Sequence, residues 1–113
     1  MKKKLVYIAG PYTNEDPVIN TRKAIDAWKT LTDAGYAAIV PHLSLLLHLV
    51  YPHESDFWYE QDLQILERCD ILLRLPGDSW GADREMEVAR ERGILVFQMT
   101  AGKFVDAIEM EKI

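Results

Sequence analysis

The sequence predicts an α/β fold, a parallel sheet lying between two layers of helices. Three observations lead there: four short apolar runs, segments of helical periodicity between them, and Pro/Gly breaks directly after the runs. The runs are KLVYIA (4–9), YAAIV (36–40), DILLRL (70–75) and ILVFQ (94–98). Most are continuous rather than alternating, the pattern of strands buried on both faces. Helical spacing covers 17–34, 56–68, 82–92 and, more briefly, 103–111. The order β-α-β-(loop)-α-β-α-β-α implies parallel strands joined by right-handed crossovers.

Taken in order, the first strand ends at Gly10-Pro11, and the helix that follows closes at Gly35, a C-cap residue. The second strand stops at Pro41. Residues 42–55, HLSLLLHLVYPHES, are apolar and carry all three histidines; they predict a short helix and a loop that covers the site or packs on another subunit. The third strand ends at Pro76-Gly77, and Gly93 closes the helix after it. Ligands of such folds sit beyond the carboxyl ends of the strands. The site is therefore expected at Gly10 to Thr13, Pro41 to His42 and Pro76 to Gly81.

Length and composition bound the function. With 113 residues, 49% apolar and 27% charged, the chain predicts a single globular domain over 1–113. A net charge of -5 leaves no basic stripe for phosphate backbones, so no nucleic-acid polymer is expected as partner. Cys69, the one cysteine, allows no disulfide within the chain and fits a reducing compartment. No apolar run approaches the ~20 residues of a membrane span, and the first run is too short for a signal peptide. A cytoplasmic protein without membrane attachment is the expectation. His42, His48 and His53 lack metal-ligand spacing, so no zinc site is expected. GxGxxG and the Walker lysine are absent, and DSWGA is not a nucleophile elbow. No cofactor is predicted.

Two acids stand out by position. On a helical wheel over 81–92, Ala82, Met86 and Ala89 form the apolar face and Glu85 lies beside them. Glu87 falls about 200° away, among Asp83, Arg90 and Glu91, and is the solvated glutamate. On 56–68, Asp62 falls within the face of Trp58, Tyr59, Leu66 and Cys69. An acid among such neighbours costs several kcal/mol unless it is hydrogen-bonded or faces a cleft. Two inward acids beside strand ends look like a carboxylate pair. Tyr7, inside the first strand, needs a partner for its hydroxyl, and Glu85 is a candidate.

These residues, VYIAGPY after a basic start, D…CD at 62 and 70, and S-x-G-x-x-x-E…A at 79–89, resemble the nucleoside 2-deoxyribosyltransferase superfamily. That group includes the 2′-deoxynucleoside 5′-monophosphate N-glycosidases and small uncharacterised relatives, which the chain resembles most, over residues 4–98. The resemblance implies a Rossmann-like or flavodoxin-like three-layer sandwich with a four- to five-stranded parallel sheet. It implies cleavage of an N-glycosidic bond of a nucleoside or nucleotide, with Glu85 attacking C1′ of the sugar. Asp62 would contact or protonate the base, and Tyr7 would orient Glu85. Gly10, Pro11, Tyr12, Ser79, Gly81 and Ala82 would bind substrate. Ser79-Trp80-Gly81 resembles the phosphate-holding Ser-x-Gly of the monophosphate hydrolases, with the amides of Gly81 and Ala82 at a helix start as further donors. A homo-oligomer, dimer or tetramer, is implied as well.

Two departures stand beside these matches. The loop GPYTNEDP is acidic and has no arginine before Arg22, and DAIEMEKI offers no C-terminal asparagine. The alternative reading is a non-catalytic nucleotide-binding or regulatory module of the same fold.

Overall fold

A computed structural model describes residues 2–111. Nine elements follow in order: β1 (Leu5–Ala9), α1 (Pro17–Asp33), β2 (Ala37–Ile39), α2 (Ser44–Val50), α3 (Ser55–Leu66), β3 (Ile71–Arg74), α4 (Trp80–Glu91), β4 (Leu95–Gln98) and α5 (Ala101–Glu111). A 3-10 turn, Pro41–Leu43, leads into α2. Each apolar run of the sequence is one strand, and each periodic segment one helix. The ambiguous 42–55 segment is that turn, α2 and the lead into α3.

The four strands pair in parallel, in the order β2-β1-β3-β4. The chain leaves β1 toward one edge and β3 toward the other, so a crevice opens between their carboxyl ends. The pleat of β1 explains what faces that crevice. Val6 and Ile8 point to one layer and pack with Leu31 and Phe104 of α1 and α5. Tyr7 and Ala9 point to the other and pack with Leu66, Ala82 and Ala89 of α3 and α4. The sequence pattern thus sends the Tyr7 hydroxyl toward α4. In β3 the same alternation turns Leu72 and Arg74 toward that layer.

Caps set where the helices begin. Asp16 accepts from the amides of Val18 and Ile19, with Pro17 as first helical residue. One acid of the acidic loop is therefore a cap. Asn20, 8% exposed, donates to the carbonyls of Tyr12 and Asn14 and pins that loop. Ser79 caps α4 through the Ala82 amide at 3.1 Å. In contrast, α2 has five apolar residues and buries none of them fully.

Candidate active site

Glu85 lies in the second turn of α4, between the buried Ala82 and Ala89. The small alanines let α4 approach β1 closely enough for the Tyr7 hydroxyl to donate to Glu85 Oε2. Glu85 is partly buried and opens on a cleft, while Glu87 is exposed. Asp62, on α3, lines the same cleft together with Trp58 and Tyr59. The two carboxyls and the tyrosine hydroxyl thus come from three elements separated in sequence.

Burial drives the electrostatics. It pushes the Glu85 carboxyl up to about 7; the Tyr7 hydrogen bond opposes this, the Asp62 charge adds to it, and the Arg74 charge opposes it. Burial likewise pushes Asp62 up to about 7. Tyr7 is held well above the ordinary phenol range by burial and by Glu85, so it stays a donor. Both acids are thus drawn toward the neutral range by burial. Glu85 has a hydroxyl donor and a nearby guanidinium, whereas Asp62 has no such donor among the described residues. These two groups favour the charged form of Glu85, against its deeper burial. The dipole of α4 contributes little, because Glu85 is the sixth helical residue and the effect fades after the first turn.

The cleft has a volume of about 1730 Å³ and lies over the crevice between β1 and β3. Of the residues expected to bind substrate, Gly10, Tyr12, Ser79, Gly81 and Ala82 line it. Pro11 does not: His42 Nε2 holds its carbonyl at 2.9 Å, and its ring lies beside Gly77. The Ala82 amide is also not free for a ligand, because Ser79 Oγ accepts from it. Asp70, part of the motif, sits at the opposite end of the sheet and accepts from the Leu5 amide at 2.8 Å. A second cavity of about 490 Å³ lies on the α1/α5 side and shares Gly10, Asn14, His42 and Asp78 with the first. It contains neither Glu85 nor Asp62.

Arg74 was not singled out in the sequence, and the roles of the histidines and of Trp80 were not read there. Arg74, at the end of β3, is 8% exposed and pairs with Asp83. Its signal was present, a lone cation inside DILLRL. His48 Nδ1 accepts from Trp58 Nε1 at 2.9 Å and from the His53 amide at 3.2 Å. Two donors on Nδ1 leave the ring proton on Nε2. His53 stacks on Phe57 at 3.9 Å. Two of the histidines thus brace the α2–α3 wall of the cleft, and His42 braces the β1 loop. Trp80, 74% exposed, stands at the mouth with Arg84 over its ring at 5.2 Å. Most of these contacts are local in sequence, but each depends on side-chain direction, which the apolar periodicity does not report.

Fold and site together define a parallel α/β protein with a carboxylate pair at the point where its strand order reverses. By its sequence over residues 4–99, the chain belongs to the family described as a domain of unknown function, DUF7768. No curated protein matches. Among solved structures the fold is that of 2-deoxyribosyltransferases. One, from Bacillus psychrosaccharolyticus, is 22% identical with a TM-score of 0.59, covering 81% of this chain and 69% of its own. Another, from Leishmania mexicana, is 15% identical with a TM-score of 0.63, covering 83% of this chain. This chain spans 62% of the length of the Leishmania protein.

Proposed function

We propose that this protein cleaves the N-glycosidic bond of a deoxynucleoside or its 5′-monophosphate, with Glu85 as nucleophile. The observation that carries the reading is the Glu85 carboxylate held by the Tyr7 hydroxyl, within electrostatic reach of a second cleft acid, Asp62. An oxygen of Glu85 attacks C1′ while the C1′–N bond breaks. The bonding pair leaves with the base, which takes the proton held by Asp62. The resulting sugar ester is attacked at C1′ by water or by a second base. Asp62, now ionised, accepts the proton of that attacking group, and Glu85 leaves as carboxylate.

Charge bears on the substrate. Glu54, Asp56, Asp62, Asp78 and Glu85 line the cleft, and Arg84 is the lysine or arginine among its lining residues. That balance favours an uncharged nucleoside, whereas the Ser79-Trp80-Gly81 motif favours a 5′-phosphate. Of the two amides proposed for that phosphate, only Gly81 remains. α2 lines the cleft with Ser44, Leu45 and His48, while Leu46, Leu47, Leu49 and Val50 stay exposed on the rest of the helix. A second copy packed on those apolar side chains would cover them, so a homo-oligomer belongs to the proposal.

The test is a base-release assay. The protein is incubated with 2′-deoxynucleosides and their 5′-monophosphates, with and without an acceptor base, and products are separated by chromatography. Free base without acceptor identifies a hydrolase; a new nucleoside formed only with acceptor identifies a transferase. Folded protein that binds these compounds and releases no base favours the non-catalytic module instead.

A further inference from the structure

A buried guanidinium is hard to accommodate, and Arg74 is 8% exposed at the centre of the sheet, level with Ala9 of β1 and Gln98 of β4. Its ion pair does not explain the burial, since the Asp83 side chain is 57% exposed and faces water. Two carbonyl contacts beside it do. Nη1 donates to the Leu75 carbonyl and Nη2 to the Gly77 carbonyl at 2.9 Å. Nε and Nη2 donate to Asp83 Oδ1 at 3.2 and 2.9 Å. The fork therefore ties three things together: the end of β3, the loop that precedes Ser79, and the first turn of α4. Glu85 follows Asp83 by two residues.

We propose that Arg74 is the positioning residue of this site, clamping the β3–α4 loop to the first turn of α4 and standing as the positive charge behind Glu85. The proposal rests on the reading of Glu85 as the attacking carboxylate. The charged and titratable groups facing Glu85 are Tyr7 from β1, Asp62 from α3 and Arg74 from β3; Asp83 and Arg84 flank it on α4. Arg74 is the cation among those that act on its carboxyl. Lysine cannot replace it fully. An ammonium is a point charge and cannot hold two carbonyls and a carboxylate in one plane. Charge and clamp are therefore separable by substitution.

The experiment follows the Glu85 carboxyl carbon by NMR in glutamate-labelled protein, assigned by its loss in Glu85→Gln. Arg74→Met is expected to raise the Glu85 midpoint by at least about half a pH unit, since a neighbouring cation is lost. Arg74→Lys is expected to keep the midpoint close to wild type. In both variants the amides of Leu75, Ala82 and Asp83, hydrogen-bonded at the two ends of the clamped loop, should exchange at least about tenfold faster, because the clamp is gone. If Arg74→Met does not fold, Arg74→Gln keeps a hydrogen-bonding amide without the charge and carries the same expectation. An unmoved Glu85 midpoint in a folded uncharged variant overturns the proposal. An equal rise in the lysine variant overturns it too, by assigning the effect to loop disorder. The titration reads Glu85 whether or not a base is released. A silent substrate panel therefore leaves this result standing, and an unmoved midpoint in an active enzyme removes Arg74 alone.

Discussion

Glu85 and Glu87 are two residues apart on one helix, and their surroundings separate them. Glu85 has the Tyr7 hydroxyl, the Asp62 carboxyl and the Arg74 charge around it; Glu87 is exposed on the other face. Glu85→Gln removes the nucleophile while keeping an acceptor for Tyr7, so turnover should fall by at least about 10³-fold. Glu87→Gln should stay within about twofold, since exposed substitutions away from a site change little. Comparable losses in both would refute the assignment of faces. Tyr7→Phe tests the bond itself. It removes one donor to the carboxylate, so the rising acid limb of the rate profile should move to higher pH. An unmoved limb would show that the hydroxyl does not act on the reacting form of Glu85.

The loop between β3 and α4 is tight where it meets the loop after β1. Gly77 has φ +113°, and a Cβ there would lie 2.7 Å from Pro11 Cγ. Gly77→Ala should therefore cost about 1–3 kcal/mol of stability, measured by denaturant unfolding. Gly81, four residues on, meets nothing within 4 Å and sits in the first turn of α4. Gly81→Ala should be neutral or stabilising within about 1 kcal/mol. A loss in both would point to a general intolerance of the segment rather than to this contact. The element most at odds with a lone chain is α2. Leu46, Leu47, Leu49 and Val50 are 56–70% exposed, and an apolar helix of seven residues has little stability of its own. If a second copy covers it, Leu46→Glu with Leu49→Glu should shift the protein to monomer in sedimentation. Unchanged sedimentation would place the interface elsewhere.

Across the whole molecule, the strand order was not legible in the sequence, but its parts were. Continuous apolar runs marked all four strands, although only the central β1 and β3 are buried along their length and the edge strands β2 and β4 are partly open, and helical spacing placed α1, α3, α4 and α5 within a few residues. The inward positions of Glu85 and Asp62 followed from the same spacing. The Arg74 fork, the histidine braces and the place of Pro11 did not, because each is set by turn geometry and side-chain direction in the loops between elements, which apolar spacing does not encode. The buried acids also leave a global trace. The Glu85 carboxyl is raised from 4.5 to about 7, so the fold prefers its protonated form. That contribution is present in full below about pH 4.5 and is lost as pH rises through about 7. Wild type should lose stability over that window, and Glu85→Gln should be the more stable by about 1–3 kcal/mol at pH 8, with the difference closing toward pH 4. A constant difference at all pH values would mean that Glu85 is not held away from its ionised form by the fold. No helix among the described residues is long and apolar enough to cross a membrane.

The central claim is a covalent sugar on Glu85, and mass spectrometry of protein quenched during base release tests it most directly. Cleavage after Arg84 and Arg90 yields the peptide 85–90, which carries both glutamates, and fragmentation tells them apart. The predicted result is one deoxyribosyl group added at Glu85, absent from Glu85→Gln, which also releases no base. Base release that continues at the wild-type rate in Glu85→Gln, with no adduct at any time, would contradict the account.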